Sequence, residues 1–111
     1  MNAFDILGDP VRRRIVELLA TGERSAGEIT EHVREKFGIS QPAVSNHLRV
    51  LRDSGFATAT PHGSRRLYAL EDSALDEVGS WLERQRSAWT RRLDALETEL
   101  RRGRKEESDR G

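Results

Sequence analysis

The stretch SQPAVSNHLRVLRDSGF, residues 40–56, limits what this chain can become more than any other. Ser40 is a good helix N-cap, and Pro42 falls in the first turn, where a missing N–H costs nothing because those donors have no intrahelical acceptor. Val44, Leu48 and Leu51 follow at helical spacing as an inward stripe, and Gly55 ends the run. With that stripe buried, Pro42, Ser45, Asn46 and Arg49 point away from the core, and Gln41 stands at the leading edge. Surface helices commonly carry long charged chains, whereas this face is short and hydrogen-bonding at its N-terminal end. Such a helix can enter a DNA major groove about 12 Å wide, and long side chains at Pro42 or Ser45 would hold its backbone away from the bases. Gln and Asn suit adenine, Arg suits guanine, and Ser40 with the helix N-terminus suits a phosphate.

Two helices with the same grammar precede it. In DPVRRRIVELLATG (9–22), Asp9 caps, Pro10 opens, Val11, Ile15, Leu18 and Leu19 form the stripe, and Gly22 closes. In SAGEITEHVREKFG (25–38), Ser25 and Glu28 make a capping box, Ala26, Ile29 and Val33 line one side, and Gly38 closes. Phe4, Ile6 and Leu7 suggest a short helix before both. The second and third long helices are joined only by Gly38-Ile39, the spacing of a helix-turn-helix. Beyond Gly55 the period changes to two short extended runs, Phe56–Thr60 and Arg65–Leu70, around a turn at Pro61-His62-Gly63-Ser64. This predicts a β-hairpin with a basic flank. Residues alternate along a strand, so of Arg65 and Arg66 one faces out and the other leans across the sheet. The pattern alone does not choose between them.

From Asp72 to Arg102 the helical period returns, carried by Leu75, Val78, Leu82, Trp89, Leu93, Leu96 and Leu100. Together with Trp81 these exceed what one helix can hide against a small body, so the stripe is expected to meet a second copy of the chain. The expected division is 1–71 as a DNA-binding domain, 72–102 as a dimerisation helix and 103–111 as a disordered tail. The fold class is mainly α with a small β-hairpin wing. Net charge is zero, yet residues 40–70 carry Arg49, Arg52, Arg65 and Arg66 against Asp53 alone, which leaves +3 where a polyanion would be met.

Several of these motifs, in this order, are identifiable. SQPAVSNHLRVLRDSGF resembles the recognition helix of the ArsR/SmtB-type winged-helix repressors, LGDPVRRRIVELLATG resembles their first long helix, and GSRRLYAL their wing. The resemblance spans residues 4–70 and implies a homodimeric transcriptional repressor that binds an operator in double-stranded DNA, an inverted repeat. It implies DNA contacts at Ser40, Gln41, Pro42, Ser45, Asn46 and Arg49, with Arg65 and Arg66 on the wing. WLERQRSAWTRRLDALETEL is similar to the terminal helix of a metal-independent branch, and family members pair through their terminal helices. That places Phe4, Leu7, Leu82, Trp89, Leu93 and Leu96 at a dimer interface. The chain departs from the metal sensors of the family, having no cysteine and no histidine within 72–102, so no metal ligand and no cofactor are expected.

Other readings are weaker. His32, His47 and His62 lack ligand spacing, and His47 falls at the buried edge of its helix. Arg12, Arg13 and Arg14 read as a wet helix face rather than a phosphate contact. No catalytic constellation is present: there is no nucleophile elbow, no phosphate-cradling glycine loop and no paired carboxylates. No stretch approaches the ~20 apolar residues of a membrane span, and the N-terminus lacks a basic-then-apolar leader, so a cytoplasmic protein is expected. The rival from another class is a protein-interaction module that uses the winged body as scaffold and the long helix as docking surface.

Overall fold

The computed structural model describes residues 1–110, with side chains through Glu107. The chain forms two compact units, Met1–Glu77 and a second that begins at Val78. In the first unit the order is α1 (Ala3–Gly8), α2 (Pro10–Ala20), β1 (Arg24–Ser25), α3 (Ala26–Phe37), α4 (Gln41–Asp53), β2 (Ala57–His62) and β3 (Arg65–Leu70).

The caps fall where the sequence puts them. Asp9 Oδ1 accepts from the backbone N–H groups of Val11 and Arg12, at 2.8 and 3.1 Å. Ser25 and Glu28 close a reciprocal capping box, and Ser40 Oγ accepts from Ala43 N at 3.3 Å. Gly38 ends α3 with a φ of 66°, a left-handed cap that a residue with a Cβ adopts only at a cost. The core is built from one stripe per helix. Ile6, Ile15, Ile29, Val33, Val44 and Leu51 are fully enclosed, with Phe56 and Tyr68 packed beside them. Val16 is also buried, whereas Leu18 of the expected stripe is only half-buried.

Asp9 carries a consequence for acid stability. Burial pushes its carboxyl up, but the Arg12 N–H, the His47 charge, the Val11 N–H and the Arg12 guanidinium outweigh that and hold it below the ordinary 3.8. A depressed folded-state value means that the charged form adds stability above the ordinary value, and that this is lost as pH falls through the lower one. Asn accepts the same cap bonds without a charge. The stability difference between wild type and Asp9→Asn is therefore expected to shrink as pH falls from about 5 through the acid range, read by urea unfolding at each pH. A difference that stays flat over that window counts against charge stabilisation at Asp9.

The wing differs from expectation in three respects. It is a three-stranded antiparallel sheet in the order β1-β3-β2, because Arg24 and Ser25 pair with Tyr68 and Leu67. A two-residue strand has no readable period. β2 starts one residue later than expected and runs on through Pro61 and His62, which face Arg66 and Arg65, so the loop is only Gly63-Ser64. A proline fits there because β2 is an edge strand. Gly63, with φ of 63°, supplies the glycine that the first position of a type II′ turn takes.

α2 brings another correction. Arg13 is exposed, as expected of a wet face, but Arg12 is half-buried, and both side chains are engaged by α1. Arg12 Nε donates to the Ile6 carbonyl (3.2 Å) and its Nη2 to that of Asp5 (3.0 Å), while Arg13 Nη1 donates to that of Leu7 (3.1 Å). These are C-terminal carbonyls of α1, which has no basic residue in its own last turn. Arg14 donates to His32 Nε2 at 3.1 Å and pairs with Glu17.

α5 (Asp76–Arg110) starts four residues after Asp72, because residues 72–75 form turns. It also passes Arg102, so the tail expected to be disordered is helical through Arg110, and Gly111 lies outside the described residues. The segment lacks proline, and Arg102 with Glu106 and Arg104 with Glu107 stand at the spacings that support a solvated helix. At 35 residues the helix is about 52 Å long. Trp81, Leu82, Trp89, Leu93, Leu96 and Leu100 are all exposed along it. No helix among the described residues is long and apolar enough to cross a membrane.

Candidate nucleic-acid interface

The outward face of α4 holds the expected set. Gln41, Pro42, Ser45, Asn46 and Arg49 are exposed, as is the cap Ser40, while Val44, Leu48 and Leu51 lie beneath them. Short side chains stand on that face because the helix turns its bulky residues inward. Its first turn has no acidic residue, so nothing negative offsets the positive end of the helix dipole.

Two of these residues touch each other. Arg49 Nη2 donates to Asn46 Oδ1 one turn back. One lone pair of the Asn46 carbonyl oxygen is therefore engaged, and its NH₂ is left to project. Bidentate reading of adenine needs both amide groups, and the second lone pair of Asn46 Oδ1 is left for it, so the Arg49 bond fixes the direction in which the amide is presented. As held here, the pair presents donors: the Asn46 NH₂ and the remaining N–H groups of Arg49. Sequence spacing places these residues on one face but does not show that they are linked.

The two wing arginines part ways. Arg66 shares the face of β3 that bears buried Tyr68, and it overhangs a cleft of about 620 Å³ whose walls include Gln41 and Ser45. Arg65 lies by the start of α3, among Ser25, Gly27 and Ser64, where Arg66 also borders, but Arg65 does not reach the larger cleft. Its charge also acts on Glu28. There the hydrogen bond from the Ser25 hydroxyl is the largest influence, followed by the Ser25 N–H. Burial opposes them, Arg24 and Arg65 add to them, and the carboxyl is held below its ordinary range. Arg65 thus acts on Glu28, while Arg66 shares its cleft with Glu31 and with Gln41 and Ser45 of the exposed face of α4.

The remaining expected residues lie elsewhere. Phe4 and Leu7 are on α1, exposed and half-buried respectively, and Leu82, Trp89, Leu93 and Leu96 are on α5. His47 is half-buried with its Nδ1 enclosed and unpartnered, and His32 accepts from Arg14. Among the described residues no three His, Asp or Glu side chains come together as metal ligands. Sequence reading missed Arg34 and Arg52, which border the same cleft as Arg66. Arg52 was visible only as part of the basic surplus of residues 40–70.

Comparisons with known proteins agree with this geometry. The family model described as "Bacterial regulatory protein, arsR family" matches residues 9–59, from the cap of α2 into β2. The transcriptional repressor SdpR of Bacillus subtilis (strain 168) is 35% identical over 81 residues, which is 73% of this chain and 86% of that protein. The HTH-type transcriptional regulator Rv2034 of Mycobacterium tuberculosis (strain ATCC 25618 / H37Rv) is 38% identical over 92 residues, 83% of this chain and 79% of that protein. A crystal structure titled as a possible transcriptional regulator for arsenical resistance superposes with a TM-score of 0.66 at 32% identity, covering 86% of this chain and 93% of that one. These relatives are regulators rather than enzymes. The cap-for-cap succession of helices, the exposed face of α4 and the sheet behind it lead to one assignment: the chain belongs to the ArsR family of bacterial regulatory proteins and has a winged helix-turn-helix fold.

Proposed function

We propose that this regulator is a homodimeric repressor that reads an inverted-repeat operator with α4 in the major groove while the wing meets phosphates or the minor groove. The observation that carries the reading is the short, polar, solvent-facing side of α4, with Gln41, Ser45, Asn46 and Arg49 exposed and Arg66 of the wing beside them. Ser40, Pro42 and Arg65 complete the contact set. Residues 1–71 form the DNA-binding part, and α5 carries the dimer contacts through Leu82, Trp89, Leu93 and Leu96, with Phe4 and Leu7 contributing from α1. Two-fold symmetry then sets the half-sites one helical turn apart, about 34 Å, and repression follows sterically where the operator overlaps a promoter. Repression is also the role that the name of the SdpR relative states for that protein. A metal-independent signal is favoured by the lack of cysteine in the chain and of histidine within 72–102.

The test begins by selecting bound fragments from genomic DNA, which yields the operator and its half-site spacing. Gln41→Ala and Asn46→Ala are then each expected to weaken operator binding by about 1–3 kcal/mol and to leave random duplex binding unchanged. Equal losses on both duplexes in a gel-shift series would remove these two residues from base reading.

A further inference from the structure

Three guanidinium groups from three separate elements border the cleft between α3, α4 and the wing: Arg34, Arg52 and Arg66. One carboxylate, Glu31, stands with them, so the rim carries three positive charges against one negative. None of the three arginines makes a side-chain hydrogen bond or ion pair among the described residues. This sets them apart from Arg12, Arg13 and Arg14, which are all engaged. Arg52 goes further. It is half-buried, and its Nε–H is enclosed with no acceptor. An enclosed donor without a partner is costly, and natural proteins keep few of them without a reason. Leu48 and Tyr68, both buried, border the cleft as well and lower the local dielectric, which strengthens any charge pairing made there.

We propose that this cleft is a phosphodiester site, with Arg34 and Arg52 joining Arg66 to hold one backbone phosphate of the DNA strand that passes between α4 and the wing. The inference rests on reading α4 and the wing as the DNA-binding surface. The cleft is continuous with that surface, because Gln41 and Ser45 belong both to its wall and to the exposed face of α4. A helix lying in the major groove and a wing reaching beyond it necessarily straddle a sugar–phosphate strand, and guanidinium forks match phosphate oxygens two at a time. A phosphate there offsets the surplus charge of the three guanidinium groups. It fixes the register of α4 in the groove and carries no sequence information itself.

The test compares wild type with the double variant Arg34→Gln/Arg52→Gln, titrating both the selected operator and a random duplex across a series of KCl concentrations. The double variant is expected to lose affinity for both duplexes by the same factor, and its plot of log affinity against log salt is expected to be shallower by about one. Arg52→Lys, which keeps the charge, is expected to retain the wild-type slope. An unchanged slope in the double variant overturns the proposal, as does a loss confined to the operator. Free phosphate is tested by replacing chloride with inorganic phosphate at constant ionic strength. If this releases wild type from DNA and the double variant is insensitive, free phosphate competes for the site that the DNA phosphate fills, as the proposal expects. If inorganic phosphate raises the melting temperature of DNA-free wild type but not of the double variant, while both keep the same salt slope on DNA, a small anion occupies the cleft and the assignment to DNA falls. Wild type that binds no duplex at all sinks the function proposed above. Wild type that binds while the double variant behaves identically sinks only the cleft.

Discussion

Replacing Leu93 and Leu96 together with aspartate is expected to leave the protein monomeric at concentrations where the wild type is a dimer, and to lower operator affinity by about 100-fold or more. Both leucines stand on α5 in a stripe with Leu82, Trp89 and Leu100, and each of these five is close to half exposed or more (46% at Leu93, 62% at Leu100). A helix so polar elsewhere has no reason to keep five large apolar side chains in line unless something covers them. Two aspartates in the middle of that stripe would have to be desolvated to pair, which costs far more than the leucines contribute. Operator binding suffers because two linked reading heads bind far more tightly than one, by about 10²–10⁴. Sedimentation gives the mass and gel shift gives the affinity. A variant that remains dimeric and binds the operator normally would move the dimer contact off α5.

The second large effect concerns stability. Leu51 is completely enclosed beneath the reading face of α4, and its carbonyl accepts from Phe56 N at 2.9 Å as the chain turns into the wing. Leu51→Ala is expected to cost about 2–5 kcal/mol, the transfer of the lost methyl groups plus the cavity left behind. In a domain whose total stability is about 5–15 kcal/mol, that is a large share of the whole. Leu51→Met keeps the volume and is expected to cost less than about 1.5 kcal/mol. Urea unfolding must be run at one protein concentration, since association adds to apparent stability. A cost for the alanine variant no larger than that for methionine would show that the site collapses around the gap.

What could be read from the sequence was what is decided locally. Asp9, Ser25 and Ser40 cap their helices through atoms two or three residues away, so a linear pattern suffices to find them. The outward set on α4 follows from the inward stripe by geometry alone. What was missed depends on chain folded from a distance. β1 is a strand only because β3 comes alongside it, and two residues have no period. Pro61 looks like a breaker until β2 is known to be an edge. The helical course of residues 103–110 was judged from the absence of apolar residues, although a solvated helix needs only good helix formers and suitably spaced charges. Arg34 and Arg52 are unremarkable on their own helices and gain meaning only where α3, α4 and β3 meet. In the same way, no pattern in the sequence shows that Asn46 and Arg49 are bonded to each other.

The arginines that hold the end of α1 bear on how this N-terminus tolerates change. Six residues are too few to persist as a helix unaided, so the segment bearing Phe4 depends on guanidinium groups belonging to its successor. Arg12 spans two consecutive peptide oxygens with different nitrogens of one planar group, a grip that a single ammonium cannot reproduce. An exchange of Arg12 for lysine conserves charge and leaves every DNA-facing residue untouched. It would nevertheless loosen the C-terminal end of α1, while the Asn2–Asp5 capping box keeps hold of its other end.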